Sequence, residues 1–309
     1  MARRVGLALG VALGLVFLVI IAAFGFAQTS AGQRLLAAQL ERALAGPGTR
    51  VEAIRLEGLI PFDLRLARLT LADAEGVWLE LEELRLSWSP AALLQARLEI
   101  DEVRAERLEL ARLPAAAPEE VEDEPFRLPE LPERLPPVVL ERLAVDRIEL
   151  GPAVLGEPAT FTLSGQLAAG DDGRSAVLAL AAERLDEPTA RASLDARLDL
   201  DPAALELALS AEDAGGLLAG VTGRPEAGEF ALKLSGAGPL DGWTGTLELE
   251  AERLAGAEAR LEIALAAQPR VRLDGSVRPD PALLPADLAG LVGERHGLAL
   301  TVTQTAAQQ

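Results

Sequence analysis

Residues 191–200 read Arg-Ala-Ser-Leu-Asp-Ala-Arg-Leu-Asp-Leu. Successive side chains of an extended chain alternate between two faces, so Ala192, Leu194, Ala196, Leu198 and Leu200 point one way while Arg191, Ser193, Asp195, Arg197 and Asp199 point the other. One face is dry and the other wet. The same alternation recurs at Leu205/Leu207/Leu209, Phe230/Leu232/Leu234, Trp243/Leu247/Leu249, Leu261/Ile263/Leu265 and Val271/Leu273. Gly170-Asp171-Asp172-Gly173, Gly215-Gly216, Arg224-Pro225-Glu226-Ala227-Gly228, Gly236-Ala237-Gly238-Pro239 and Ala255-Gly256 supply turn residues between these runs. Residues 138–309 therefore read as an antiparallel meander with one apolar face.

Upstream, over residues 49–113, the apolar positions advance by alternating steps of two and three: Leu64, Leu66, Leu69, Leu71; Leu79, Leu81, Leu84, Leu86; Leu98, Ile100, Val103, Ala105, Leu108, Leu110, Leu113. A helical stripe needs steps of three and four, so this too is extended chain. Each step of three moves the next apolar residue to the wrong face unless a bulge or sharp bend absorbs one residue. Repeated bulges curl a sheet. A pentapeptide β-helix shares the five-residue period, but these blocks are short and carry leucine where such a coil needs small residues.

Ser89-Pro90 before Ala91-Ala92-Leu93-Leu94 places a capping residue ahead of a proline at the first helical position, predicting a short helical connector. Asp201-Pro202-Ala203-Ala204-Leu205 and Asp280-Pro281-Ala282-Leu283-Leu284 echo it. Residues 114–137 are dense in proline and acids and read as a solvated linker. The acids there lack the ligand order and glycine of an EF-hand.

At the N-terminus, residues 5–27 carry no charge and as a helix would cover roughly 34 Å, enough for a bilayer core. Arg3 and Arg4 precede this run, which by the positive-inside tendency puts the tip, within residues 1–28, in the cytoplasm and the bulk across the membrane, in the periplasm of a bacterium. A cleaved signal peptide is the competing reading, with small residues at Gly25-Phe26-Ala27. Gly6, Gly10 and Gly14 form a small-residue stripe suited to helix packing in lipid, although glycine is common in such helices. Residues 29–48 read as an amphipathic helix: Ser30 and Gln33 have capping-box spacing, Leu36, Ala37, Leu40, Ala43 and Leu44 share a face, and Gly46-Pro47-Gly48 ends it.

Composition excludes several kinds of function. The 309-residue chain has no cysteine, one histidine and a net charge of −19. There is no thiol nucleophile, disulfide or zinc–thiolate site, and the acidity opposes nucleic acid as a partner. No nucleophile with a base partner is visible, so no enzymatic activity and no cofactor or metal is expected. His296, in Gly293-Glu294-Arg295-His296-Gly297, reads as part of a turn.

The dry face needs a cover. A second sheet or the opposite wall of a barrel is the ordinary solution, but aromatic residues make up only 3% of the chain, so the bulky pieces of a sandwich core are scarce. A lining of leucine and alanine equally suits acyl chains. The candidate lining residues are Leu194, Leu198, Leu207, Leu232, Leu249 and Ile263.

Thr29-Ser30-Ala31-Gly32-Gln33-Arg34, Glu57-Gly58-Leu59-Ile60-Pro61-Phe62-Asp63-Leu64-Arg65-Leu66, Leu69-Thr70-Leu71-Ala72-Asp73-Ala74-Glu75-Gly76-Val77-Trp78-Leu79 and Leu84-Arg85-Leu86-Ser87-Trp88-Ser89-Pro90-Ala91-Ala92-Leu93-Leu94 together resemble the N-terminal part of TamB, the inner-membrane subunit of the translocation and assembly module, within the wider AsmA-like family of bridge-like lipid transfer proteins. The resemblance covers about residues 1–113 and is architectural beyond. It implies a mainly β protein: a transmembrane anchor followed by a taco-shaped β-groove that conducts phospholipid toward the outer membrane, with an outer-membrane barrel partner of the TamA type. The alternative is an assembly factor for outer-membrane proteins, acting through open sheet edges by β-augmentation. Some ten to fourteen strands at roughly 4.8 Å each give a groove of roughly 50–65 Å. That is short for the family, and the C-terminal domain that meets the barrel partner is missing, so the chain reads as a fragment or a truncated gene.

Overall fold

The computed structural model describes residues 29, 49–59, 63–115, 132–215, 217, 228–252, 255–264, 270–280 and 295–303. The expected membrane helix with Gly6, Gly10 and Gly14, the amphipathic helix and the Asp280-Pro281 connector beyond Asp280 lie outside them. Among the described residues no helix is long and apolar enough to cross a membrane.

Fifteen strands form one sheet: β1 Arg50–Leu59, β2 Asp63–Asp73, β3 Gly76–Trp88, β4 Leu98–Ala105, β5 Arg107–Leu110, β6 Val138–Leu150, β7 Ala159–Ala169, β8 Ser175–Arg184, β9 Ala190–Leu200, β10 Ala203–Asp213, β11 Phe230–Pro239, β12 Asp241–Ala251, β13 Ala255–Ala264, β14 Arg270–Pro279 and β15 His296–Thr303. Spatial order follows chain order, with β4 and β5 sharing one lane between β3 and β6. From β6 onward every pairing is antiparallel, as the strict alternation predicts.

One join departs from the meander. β4 and β5 pair with β6 in parallel, at a constant register from Leu98↔Val138 to Leu110↔Leu150. The apolar residues of β6, Val138, Leu140, Leu143, Val145, Ile148 and Leu150, repeat the two-and-three spacing of β4 and β5, so like pairs with like. The proline-rich segment thus separates two stretches of chain but not two sheets.

The steps of three are absorbed in two ways. In β2, β3, β5 and β6 the extra residues fall in line: Leu66↔Leu84 and Leu69↔Leu81 pair on either side of Ala67 and Glu83, and Leu81↔Leu108 and Leu108↔Ile148 continue that row. Glu83 takes a positive φ of 50°, and Glu106 separates β4 from β5, so the kink runs across neighbouring strands. Between β6 and β7 the period changes from mixed to strict, and the surplus appears as register shifts between Leu140 and Leu143 and between Val145 and Ile148. The kinks let Leu66, Leu69 and Leu71 bury one another against Leu64, Leu79, Leu81 and Leu84.

Of the expected helical connectors, Pro90–Gln95 is a 3-10 helix behind an extended Ser89. Asp201-Pro202 is instead a two-residue turn: Leu200 pairs with Ala203, and Ala204 and Leu205 are already strand. The reason is the alternation itself, because Leu205, Leu207 and Leu209 must continue the dry face. Gly236-Ala237-Gly238-Pro239 is not a turn but the end of β11, paired throughout with β10 and at Gly236 and Ala237 with β12 as well. Its glycines leave room for Trp243, whose ring occupies the space that a Cβ at Gly236 or Gly245 would enter. Ala255-Gly256 likewise opens β13, and His296 opens β15 opposite Val277.

Where the sheet meets the linker, Asp73 is 3% exposed. It accepts hydrogen bonds from the Arg112 guanidinium, from the Ala115 N–H at 2.8 Å and from the Glu75 N–H at 2.8 Å. Arg112 and these amides hold its carboxyl well below the usual carboxylate range.

Candidate functional site

The alternation of each strand and the register between strands place the apolar side chains in rows that run across the sheet. One row holds Leu180, Leu194, Leu209, Leu234 and Leu247, each paired with the next. Beside it Leu163, Ala182, Ala192, Ala211, Leu232 and Leu249 form another. The six residues singled out from sequence all lie on this face. Leu194 sits between Leu180 and Leu209, Leu198 between Ala176 and Leu205, and Leu207 between Ala196 and Gly236. Leu232 sits between Ala211 and Leu249, Leu249 between Leu232 and Ala257, and Ile263 between Trp243 and Val271.

All six are half-buried. A sandwich core would bury them fully. Among the described residues, substantial contact between elements is confined to strands adjacent in the sheet, β10 against β12, and the 3-10 helix against β4. β1 and β15 end the sheet without pairing to each other. Among the described residues no second sheet packs over the apolar rows of β8–β14.

The opposite face is laced with ion pairs between neighbouring strands. Arg191 bonds Glu212 at 2.5 Å, Arg104 bonds Asp146 at 2.7 Å, Arg107 bonds Glu149 at 2.7 Å and Arg278 bonds Glu258 at 3.3 Å. Most of these side chains are well exposed, so they solvate the sheet more than they stabilise it.

The leucines dominate the sequence pattern, and small residues lie between them. Ala182, Ala192 and Ala211 lie side by side on three adjacent strands. With Phe161, Phe230 and Leu217 they line a cavity of about 230 Å³. Each of the three strands gives one alanine to this row, which leaves no local signal in the sequence. Arg184 closes this row of side chains. It follows Ala182 on the same face, stands opposite Phe161, and has a side chain only 2% exposed. Burial works against its charge, but Asp186 at 2.8 Å and Glu157 at 3.1 Å offset that, and its pKa stands above the ordinary arginine value.

The described residues hold no group of histidines and carboxylates able to bind a metal. What the arrangement offers is aliphatic surface in continuous rows.

No curated protein and no solved structure matches the chain. The YdbH-like family model, described as "Intermembrane phospholipid transport protein YdbH", matches residues 15–308. The match spans both sides of the proline-rich segment and the whole described sheet, and it supports the resemblance to the AsmA-like bridge lipid transfer proteins without singling out TamB. The chain belongs to the YdbH-like family of intermembrane phospholipid transport proteins.

Proposed function

We propose that the chain is a conduit: its uncovered apolar face shields phospholipid acyl chains as they pass across the periplasm toward the outer membrane, with no bond made or broken. The observation that carries this reading is the single sheet whose leucine and alanine rows stay in register from strand to strand with, among the described residues, no second layer over them. An apolar face of this extent costs free energy in water and is met in proteins that place it against lipid or another protein. Residues 5–27 would anchor the conduit in the inner membrane, with the N-terminus cytoplasmic.

The test places a charge on the face. Leu198→Asp or Leu232→Arg in the full chain is expected to leave a folded protein, by circular dichroism and thermal melting, that no longer copurifies with phospholipid. A folded variant with undiminished lipid ends the conduit reading.

A second reading draws on the last strand. Among the described residues β15 pairs only with β14, and its Leu298, Leu300 and Val302 are exposed. An open edge of this kind can template strands of outer-membrane protein clients, in the manner of a translocation and assembly module with a TamA-type barrel partner. That reading gains if client strands crosslink to β15 in a variant that has lost lipid.

A further inference from the structure

Between β3 and β4 the chain turns through the 3-10 helix Pro90–Gln95, and from Leu86 to Ala96 no residue is charged. One side chain of the helix, Ala92, is buried. Its backbone is fixed as well: the Ser89 N–H donates to the Glu99 carbonyl at 2.8 Å and the Arg97 N–H to the Ala92 carbonyl at 3.1 Å. The leucines are left outside. Leu94 is 91% exposed and Leu93 53%, and Ala91, Ala96 and Leu98 are exposed around them. A single exposed leucine is ordinary. Five exposed apolar residues within the eight positions 91–98, on a backbone already fixed, form a contact surface.

Chemistry, position and continuity all favour a lipid surface as the partner. The exposed side chains of the tip are aliphatic, without the aromatic or arginine anchors on which protein interfaces depend. Arg85 and Arg97 bracket the uncharged run but are engaged by Asp63 and Asp171. By position, β3 lies two strands from β1, roughly 10 Å at the usual strand spacing, and residues 28–49 alone separate β1 from the uncharged run 5–27, the proposed anchor. The surface also continues into the conduit. Leu98 opens the apolar series of β4 and pairs with Val138, and Ile100 pairs with Leu140 on one side and Trp88 on the other.

We infer that the Pro90–Gln95 tip dips into the periplasmic leaflet of the inner membrane, with Leu93 and Leu94 among the acyl chains, and that phospholipid leaves the bilayer there for the apolar series that begins at Leu98. The inference rests on the conduit and anchor readings and adds to them the place of entry.

The chain has no cysteine, so Leu94→Cys gives one site for an environment-sensitive fluorophore in the full chain, reconstituted in vesicles of phosphatidylethanolamine and phosphatidylglycerol. Leu185, 52% exposed just after β8, is the comparison site, labelled through Leu185→Cys. With the tip sunk roughly 5–10 Å into the boundary of head groups and acyl chains, lipids carrying nitroxide on their chains should quench the label at residue 94 at least about threefold more than the label at residue 185. Leu93→Asp with Leu94→Asp, a change at exposed positions that leaves the circular dichroism melt unaltered, should slow lipid uptake from the vesicles at least about fivefold, while lipid offered in detergent micelles still binds. Should the double variant fail to fold, the quenching at residue 94 decides. Equal quenching at the two positions overturns the tip and leaves the conduit standing. So does a label at residue 94 that is shielded from aqueous iodide in native membranes but not in the vesicles, which assigns the leucines to a protein partner. Unchanged uptake by a folded double variant overturns the entry role. A chain that takes up lipid from neither vesicles nor micelles overturns the conduit itself.

Discussion

The indole Nε1 of Trp243 in β12 donates to the carbonyl oxygen of Leu205 in β10 at 2.9 Å, passing over the intervening strand β11. Trp243 is 1% exposed, the largest fully buried side chain among the described residues. A tryptophan can lie across a sheet in this way only where the strand beneath lacks side chains, and Gly236 and Gly245 provide that absence. The pair ties three strands together where, among the described residues, no second layer does so.

Trp243→Ala is expected to destabilise the domain by roughly 3–5 kcal/mol, the usual cost of deleting a large buried aromatic. Trp243→Phe keeps most of the packing but leaves the Leu205 carbonyl without its donor, at about 1 kcal/mol. Thermal or urea melts monitored by circular dichroism separate the two; equal losses would mean that packing alone matters.

Gly236→Val should destabilise by roughly 1–3 kcal/mol, because its side chain must enter the space of the Trp243 ring. Combined with Trp243→Ala the penalty should shrink but not vanish, since the ring is then gone while the Thr244 carbonyl oxygen still stands 2.6 Å from a Cβ at Gly236. Additive losses in the double mutant would show that the glycine serves the backbone and not the indole.

Two arginines on neighbouring strands offer a contrast. Arg191 pairs with Glu212 while remaining 75% exposed, and Arg191→Ala should change stability by no more than about 0.5 kcal/mol. Arg184 is buried on the other face, and Arg184→Ala removes its partner from Asp186 and Glu157 at a cost on the order of 3 kcal/mol. Chemical denaturation of the two variants measures the difference; a large loss at Arg191 would mean that the outer face is covered.

Asp73 makes stability depend on acidity in one direction. Its carboxyl titrates lower in the folded protein than in the unfolded chain because Arg112 and the Ala115 amide favour the charged form. The unfolded state therefore binds the proton first as pH falls, and the stabilisation, complete above about pH 4, is lost progressively below it. Asp73→Asn should lower the melting temperature at neutral pH and flatten this acid limb. An unchanged limb would assign the acid sensitivity to other carboxylates.

Much of this architecture is legible in the chain. The run from Arg191 to Leu200 declares its faces because every second residue is charged or hydroxylic, and the period of two leaves no other conformation that separates them. The steps of three at Leu66/Leu69 and Leu81/Leu84 announce that something must absorb a residue, but not whether neighbouring strands do so in line or singly, because that depends on partners far away in sequence. The parallel join of β4 and β5 to β6 is hidden for the same reason, although the shared spacing of Leu98 to Leu110 and Val138 to Leu150 was its trace. Gly236 to Pro239 reads as a turn because glycine and proline commonly punctuate chains; only the Trp243 ring, brought from the next strand, explains them as floor. The alanines of the apolar cavity carry no local signal at all, since a small residue becomes a cavity only when its neighbours on adjacent strands are small too.

The registered rows have a kinetic consequence. A hydrocarbon segment lying across the strands and shifted by one strand spacing, about 4.8 Å, leaves behind aliphatic contacts much like those it meets ahead, as along Leu180, Leu194, Leu209, Leu234 and Leu247. On the conduit reading such a track is a shallow washboard, which would hold its passenger everywhere with similar strength and nowhere strongly. Travel over it is one-dimensional diffusion, whose net direction is set by the supply and removal of passengers at the two ends and not by any slope in the sheet.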